Sequence, residues 1–405
     1  MSISYNAANR GSEDLYHLLA AEIPWRNRQK FLASKGYMLR PRYHPGRIPS
    51  WMRPFRRPAD LLDDLFCEDR RCSMMVGYHS MDATRMSDGT LVCLKTVKTD
   101  SERLRIPIFF SSKELRDDPR NHCVPILDVL PDSENEDQSI LVMPFLRKYN
   151  CPEFETVYNV TDYVDQMLEG LAFFHEHGVV LGSFLSMDDN VLDASELYPS
   201  GFHPEFQDSP RDGPCYKTCP RKSRITTPVK YYWSDFMSAA RIVPKDNTEY
   251  GRGEKDDVIR APRKMVKNWN LCGITDPFKH DVFVFGITLK YGLSQQYLNL
   301  GFLRSLVKIM TNNHRRSRGT KVNERMLPDN ATVALQRWRR SRAWIFPLHA
   351  IWRPWPWHSE NPFETLLKEP IYLVRNTCLH MNLICQTGAN VTSRLARTVR
   401  QRTKR

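Results

Sequence analysis

The order of its local patterns constrains this chain more than any single motif: strand-like runs come first and helix-like runs follow. Asp88-Gly89 is a tight hairpin signal, since Gly tolerates φ > 0 at a two-residue turn. After it, Leu91 to Lys95 reads as a short apolar strand ending in a lysine. Residues 100–116 read as mainly helical, entered through Ser101, with Pro107 interrupting the pattern. Ile126–Val129 and Ile140–Met143 read as two more strands, separated by an acidic turn over Asp132 to Asp137. Val160, Val164, Met167, Leu168, Leu171 and Phe174 then recur at helical spacing, and His177-Gly178 supplies a glycine stop. Tyr231 to Phe236 reads as a strand running into a turn; Val282–Leu289 reads as a buried helix and Leu303–Met310 as another. A small β-rich half followed by a larger α-rich half predicts an α+β protein.

Composition sets limits on this picture. The 405 residues are 41% hydrophobic and 26% charged, which suits a globular protein with a sizeable core. No apolar run reaches about 18 residues, so no membrane span is expected. Met1 to Arg10 lacks an apolar leader, and the ten cysteines have no pairing rhythm; both predict an intracellular protein of cytoplasm or nucleus. Cys93 reads as a small core residue, and Cys215 and Cys219 as loop thiols rather than a zinc pair. Part of the net charge of +13 sits between Arg394 and Arg405, where six Lys/Arg meet no acid; this reads as a solvated end, with nucleic acid the alternative partner. The expected layout is an Arg/Pro-rich irregular extension over 1–59, a β-rich lobe over 60–145, and a helical lobe over 146–345. That lobe carries an insertion at about 196–228, and a Trp-containing, then basic, tail covers 346–405.

Several short motifs occur in one order. Leu91-Val92-Cys93-Leu94-Lys95 is similar to the protein-kinase strand whose lysine holds nucleotide phosphates. Leu141-Val142-Met143-Pro144-Phe145-Leu146 is similar to the strand and linker that meet an adenine ring. His175-Glu176-His177-Gly178-Val179-Val180 resembles the helix end before a catalytic loop. Ser234-Asp235-Phe236-Met237 resembles the metal-binding D-F-G turn with Met in place of Gly, and Ala261-Pro262-Arg263 resembles A-P-E with its charge reversed. Asp276 to Gly286 resembles the start of the buried large-lobe helix, in which the Asp281 carboxylate braces the catalytic-loop backbone. The runs Phe110 to Ile126, Met81-Asp82-Ala83-Thr84-Arg85 and Leu197 to Pro204 resemble the kinase-like proteins abundant in mushroom-forming fungi. The resemblance covers about residues 40–310 and implies a bilobal kinase-like fold with N- and C-terminal extensions, and ATP and Mg²⁺ as ligands.

Read through that resemblance, the chemistry is eroded. Aligned without gaps after Val180, Ser183 stands in the slot of the general base and Asp188 in that of the metal-binding Asn. If Asn190 is the metal-binding residue, Leu185 stands in the base slot. A third arrangement lets Asp188 itself serve as base. Val76-Gly77-Tyr78-His79-Ser80 stands where a glycine-rich phosphate loop is expected, and one glycine cradles phosphate poorly. The glutamate that should pair with Lys95 falls by spacing on Arg105, with Glu102 the nearest acid. The candidate sites are therefore Lys95, Met143, Phe145 and Glu102 for nucleotide, and Asp235, Asn190 and Asp188 for metal. Asp188 is the candidate catalytic group and Asp281 the structural one. The expected function is a catalytically impaired kinase-like protein acting through an unknown protein partner. The alternatives are an active Ser/Thr-type kinase with a rearranged loop and a basic protein binding nucleic acid through its tail.

Overall fold

The computed structural model describes residues 18–46, 79–182, 190–211, 217–242, 274, 276–297, 299–311, 327–342, 374, 376 and 377. The chain is α+β and divides into two compact units, a sheet unit of 1–111, 124–146 and 198–221 and a helical unit of 112–123, 147–197 and 222–405.

In the sheet unit, β1 (Tyr37–Met38), β2 (Ser80–Arg85), β3 (Leu91–Lys98), β4 (Asp128–Pro131) and β5 (Gln138–Pro144) form one antiparallel sheet in the order β1-β2-β3-β5-β4. The β2–β3 turn falls at Asp88-Gly89, where Gly89 has φ +70°. The Asp88 carboxylate accepts from Arg85, from the Thr90 amide and from the Thr90 hydroxyl, and these bonds hold it well below the usual carboxylate range. Alternation sorts β3 onto two faces. Val92 and Leu94 join Met81, Ile140 and Val142 in a core with Trp25 and Leu32 of α1 (Ile23–Ser34). Val97 points the other way, with Leu141, against Leu104 of α2 (Glu102–Phe110).

The stretch expected as an irregular extension over 1–59 is different where it is described. Residues 18–46 supply α1, the edge strand β1 and a 3₁₀ turn over Pro41–Tyr43. The Arg-rich composition hid this because these arginines are buried in ion pairs instead of facing water. Arg28 makes a two-pronged pair with Asp132 at 2.7 and 2.6 Å. Arg42 meets Glu22 at 2.8 and 3.0 Å, and that carboxylate also accepts from the Tyr43 hydroxyl and the Leu19 amide. Arg40 donates to Asp82 at 2.7 Å. Fork-to-fork geometry offsets the desolvation of such charges, and breaking one partner away typically costs about 3–5 kcal/mol.

The insertion, expected within the helical lobe, is also placed differently. Lys222 N–H donates to the Leu197 carbonyl, which closes the base of an excursion, and residues 198–221 cluster with the sheet unit. There the Phe202 ring lies 6.0 Å from Phe145. Arg211 donates to the Gly89 carbonyl and, at 3.0 Å, to the Thr84 hydroxyl. The excursion has neither helix nor strand among its described residues, so its polar backbone and its few anchors decided where it packs.

The helical unit is organised on α3 (Val157–Glu176), opened by a reciprocal cap: Thr156 Oγ1 accepts from the Asn159 amide and Asn159 Oδ1 from the Thr156 amide. Two small sheets flank it. One is β7 (Val179–Val180) with β10 (Ala240–Arg241); the other is β6 (Arg147–Lys148), β8 (Asn190–Leu192) and β9 (Tyr231–Trp233), with β8 central. The long apolar run is α4 (Pro277–Leu289), capped by Asp276, followed by α5 (Leu303–Thr311) and α6 (Ala331–Arg342). No helix among the described residues is long and apolar enough to cross a membrane.

Gly286 sets the approach of α4 to α5. A Cβ there would stand 2.7 Å from Met310 Cβ and 2.9 Å from Thr311 Cγ2, whereas one at Gly301 would meet nothing within 4 Å. Gly286→Ala is expected to cost about 1–3 kcal/mol by overpacking and Gly301→Ala to stay within about 0.5 kcal/mol of wild type, measured by denaturant unfolding. Equal effects would disprove the close helix contact.

Candidate functional site

The candidate nucleotide residues of the sheet unit follow from the alternation of β3. Lys95 and Cys93 lie on the face opposite Val92 and Leu94, and their direct partners across the ladder are Leu141 and Met143. Cys93 and Met143 are buried and Lys95 is half-buried, so this face presents apolar surface beside one cation. Burial pushes the Cys93 thiol up to about 12, which leaves it neutral, a packing group and not a nucleophile. Phe145 follows β5 and is fixed by its amide, which donates to the Leu91 carbonyl at 3.3 Å. Glu102 opens α2 and lies 3.5 Å from Arg105, which also meets Asp100 at 3.5 Å. Arg105 is more than half exposed and faces acids, so solvent and these partners screen its charge.

In the helical unit the decisive group is Asp281, on the first turns of α4 and fully buried. Its Oδ2 accepts from the Leu181 amide at 2.6 Å and its Oδ1 from the Gly182 amide at 2.7 Å. Gly182 has φ +68°, a left-handed conformation that suits glycine. His175, near the end of α3, stands 3.3 Å from the same Oδ2 through Nε2, and its Nδ1 accepts from the Ala331 amide at 3.1 Å.

The register of β8 and β9 brings two further candidates to one end of a ladder. Asn190, the first residue of β8, is directly opposite Trp233, the last of β9, and Asp235 follows two residues later. Asn190 is fully buried; its amide donates to the Tyr163 hydroxyl at 2.7 Å, and its Oδ1 has no hydrogen-bond partner among the described residues. Asp235 is half-buried, while Met237 is 64% exposed. Ser183, Leu185 and Asp188 lie outside the described residues, as do Cys215, Val76 to Tyr78, Ala261 to Arg263 and the basic segment 394–405. Cys219 donates its thiol to the Gly201 carbonyl at 3.0 Å.

Sequence reasoning missed three groups. His175 was legible only as the first residue of the run that resembles the helix end before a catalytic loop, with no role of its own. Arg224 is buried as a cation over the Phe154 ring, bonded to the carbonyls of Pro152 and Tyr149 and the Tyr231 hydroxyl; inside a loop nothing announced it. His122, within the run Phe110 to Ile126, packs against Gly170 and clamps β9: its Nδ1 donates to the Tyr231 carbonyl at 2.7 Å, and its own carbonyl accepts from Trp233. A scan of the sequence against protein-family models matches none, and a search of curated proteins finds no significant relative.

Glu169, facing this clamp, gives a pH test. Its carboxyl is held down from 4.5 to about 2, by His122 first and by Arg339 of α6 next, against a burial penalty that acts the other way. At 3.6 Å the His122 contact is too long for a hydrogen bond, whereas Arg339 meets the same carboxylate at 2.7 Å and is the stronger hold. A depressed carboxylate stabilises the fold above its unfolded value, and that stability is lost as pH falls from 4.5 toward 2. Glu169→Gln should therefore be less stable than wild type at pH 7 and lose less stability across this interval. Parallel stability–pH curves for the two proteins would rule out the coupling.

Proposed function

We propose that this chain is a kinase-like protein that binds a nucleotide, transfers phosphate poorly or not at all, and acts through a protein partner. The observation that carries the reading is the buried Asp281 carboxylate accepting the adjacent Leu181 and Gly182 amides. Burying a carboxylate is costly unless hydrogen bonds offset it, as these two amides do, and bracing this loop is the role that the resemblance assigns to Asp281. The loop so entered has no carboxylate in its base slot under either direct alignment, where Ser183 or Leu185 stands. The start of β8 at Asn190 favours the second alignment, because it puts Asn190 and Asp235 at one end of the β8–β9 ladder.

The residues present fit the groups implied. Asn190 Oδ1 is a buried acceptor without a hydrogen-bond partner among the described residues, and with the Asp235 carboxylate it would offer oxygen donors of the kind Mg²⁺ takes. When bound, that ion supplies charge neutralisation for phosphate oxygens. Lys95 supplies a cation beside the apolar Cys93–Met143 surface, where an aromatic base would be sheltered and phosphates countered. Without a general base, about 10²–10⁴-fold in rate is lost from that cause alone.

A melting-temperature titration with ATP, with and without Mg²⁺, tests the nucleotide half of the reading. Ligand that binds only the folded state should raise the melting temperature in a Mg²⁺-dependent way, and Lys95→Ala should abolish the rise. No shift at millimolar ATP would retire nucleotide binding and leave a scaffold whose role lies wholly in its partners.

A further inference from the structure

We propose that His175 is a positioning residue that ties the start of α6 to the Leu181–Gly182 loop, so that the two ends of this linkage yield together. The case stands on hydrogen-bond logic inside the helical unit and needs no assumption about nucleotide. The Ala331 amide can only donate, so His175 Nδ1 must offer its lone pair at 3.1 Å. A neutral imidazole then carries its proton on Nε2, which faces Asp281 Oδ2 at 3.3 Å. The same Oδ2 accepts the Leu181 amide at 2.6 Å, while Oδ1 takes Gly182 at 2.7 Å. The result is one relay that converges on Asp281: the Ala331 N–H donates to His175, His175 donates to Asp281, and the Leu181 and Gly182 amides donate to the same carboxylate. The opposite tautomer would set two donors against each other at Ala331 and leave Asp281 facing a lone pair.

Water cannot substitute for any member of the relay. The His175 side chain is 2% exposed, that of Asp281 0%, and Ala331 is fully buried. A group that loses its partner here is left unsatisfied, and the penalty passes to its neighbour in the relay. The Phe278 ring stands edge-on to the imidazole at 5.0 Å and keeps it in its plane. The rest of α6 has its own attachments: Trp338 is buried, and Arg339 clamps Asp165 and Glu169 of α3 at 3.0 and 2.7 Å. The start of α6 can therefore release its bond to His175 without the whole helix leaving. Two segments 156 residues apart, the end of α3 and the start of α6, thus share one proton position, and the loop carrying the base slot is held from the far end of it.

Ala331→Pro breaks the relay at its α6 end: proline suits the first helical position, removes the N–H and puts its Cδ where that hydrogen met His175, so the imidazole loses its place. Amide exchange resolved to single residues should show Leu181 and Gly182 exchanging at least about tenfold faster in the full-length variant, with the interior of α3 protected as in wild type. Wild-type exchange at both amides in a folded Ala331→Pro protein would overturn the proposal. Should that variant fail to fold, wild type decides: ¹⁵N shifts of the His175 ring are expected to report the Nε2–H tautomer. An Nδ1–H tautomer would overturn the relay.

Discussion

A carboxylate with no exposure to water, Asp281, is the constraint on which the helical unit turns. Its charge is tolerable only because two consecutive amides and an imidazole converge on it. That convergence requires α4 to be buried along nearly its whole length, which its run Val282 to Phe285 provides. It also requires α3 to end where His175 faces Asp281, and Gly178 and Gly182 to take left-handed conformations on either side of β7. The apolar helix, the glycine stop and the buried acid are parts of one solution, since a shift in any of them would leave a charge or two amides unsatisfied.

The sheet unit meets a comparable demand with arginines. Its edge strands β1 and β4 have only two and four residues, and apolar burial on the α1 face is supplemented by buried ion pairs of Arg28, Arg40 and Arg42 with acids. Because α1 and its core claim the Val92–Leu94 face, strand alternation leaves Cys93, Lys95 and Met143 together on the other. The chemistry-bearing face of β3 is thus fixed by what packs behind it. The excursion 198–211 adds a strap to this unit through Phe202 and Arg211.

Elements with strong periodicity were legible in the sequence. The α3 stripe, the Asp88-Gly89 hairpin and the apolar α4 run each have a local pattern that tertiary packing reinforces. The pairing of Asp281 with a loop 100 residues away was suggested by resemblance, since nothing local in the sequence points from one to the other. Residues 18–46 were misread because arginine usually signals solvent, and here long-range acids such as Asp132 bury it. The placement of 198–221 was misread because a loop without periodicity carries no signal of which core it joins. The role of His175 was not legible for a related reason: it depends on the backbone amide of Ala331, which no side-chain pattern announces.

Asp281 holds the Leu181–Gly182 entry, and neither direct alignment of the proposed reading puts a carboxylate in the base slot beyond it. The most direct measurement is the release and transfer of the γ-phosphate of Mg²⁺-ATP by the full chain with generic acceptor proteins. The account predicts turnover at least about 10²-fold below that of ordinary kinases, and no change in Asp188→Ala. Turnover within the roughly 1–100 s⁻¹ of ordinary kinases, abolished by Asp188→Ala, would contradict it and make Asp188 the base.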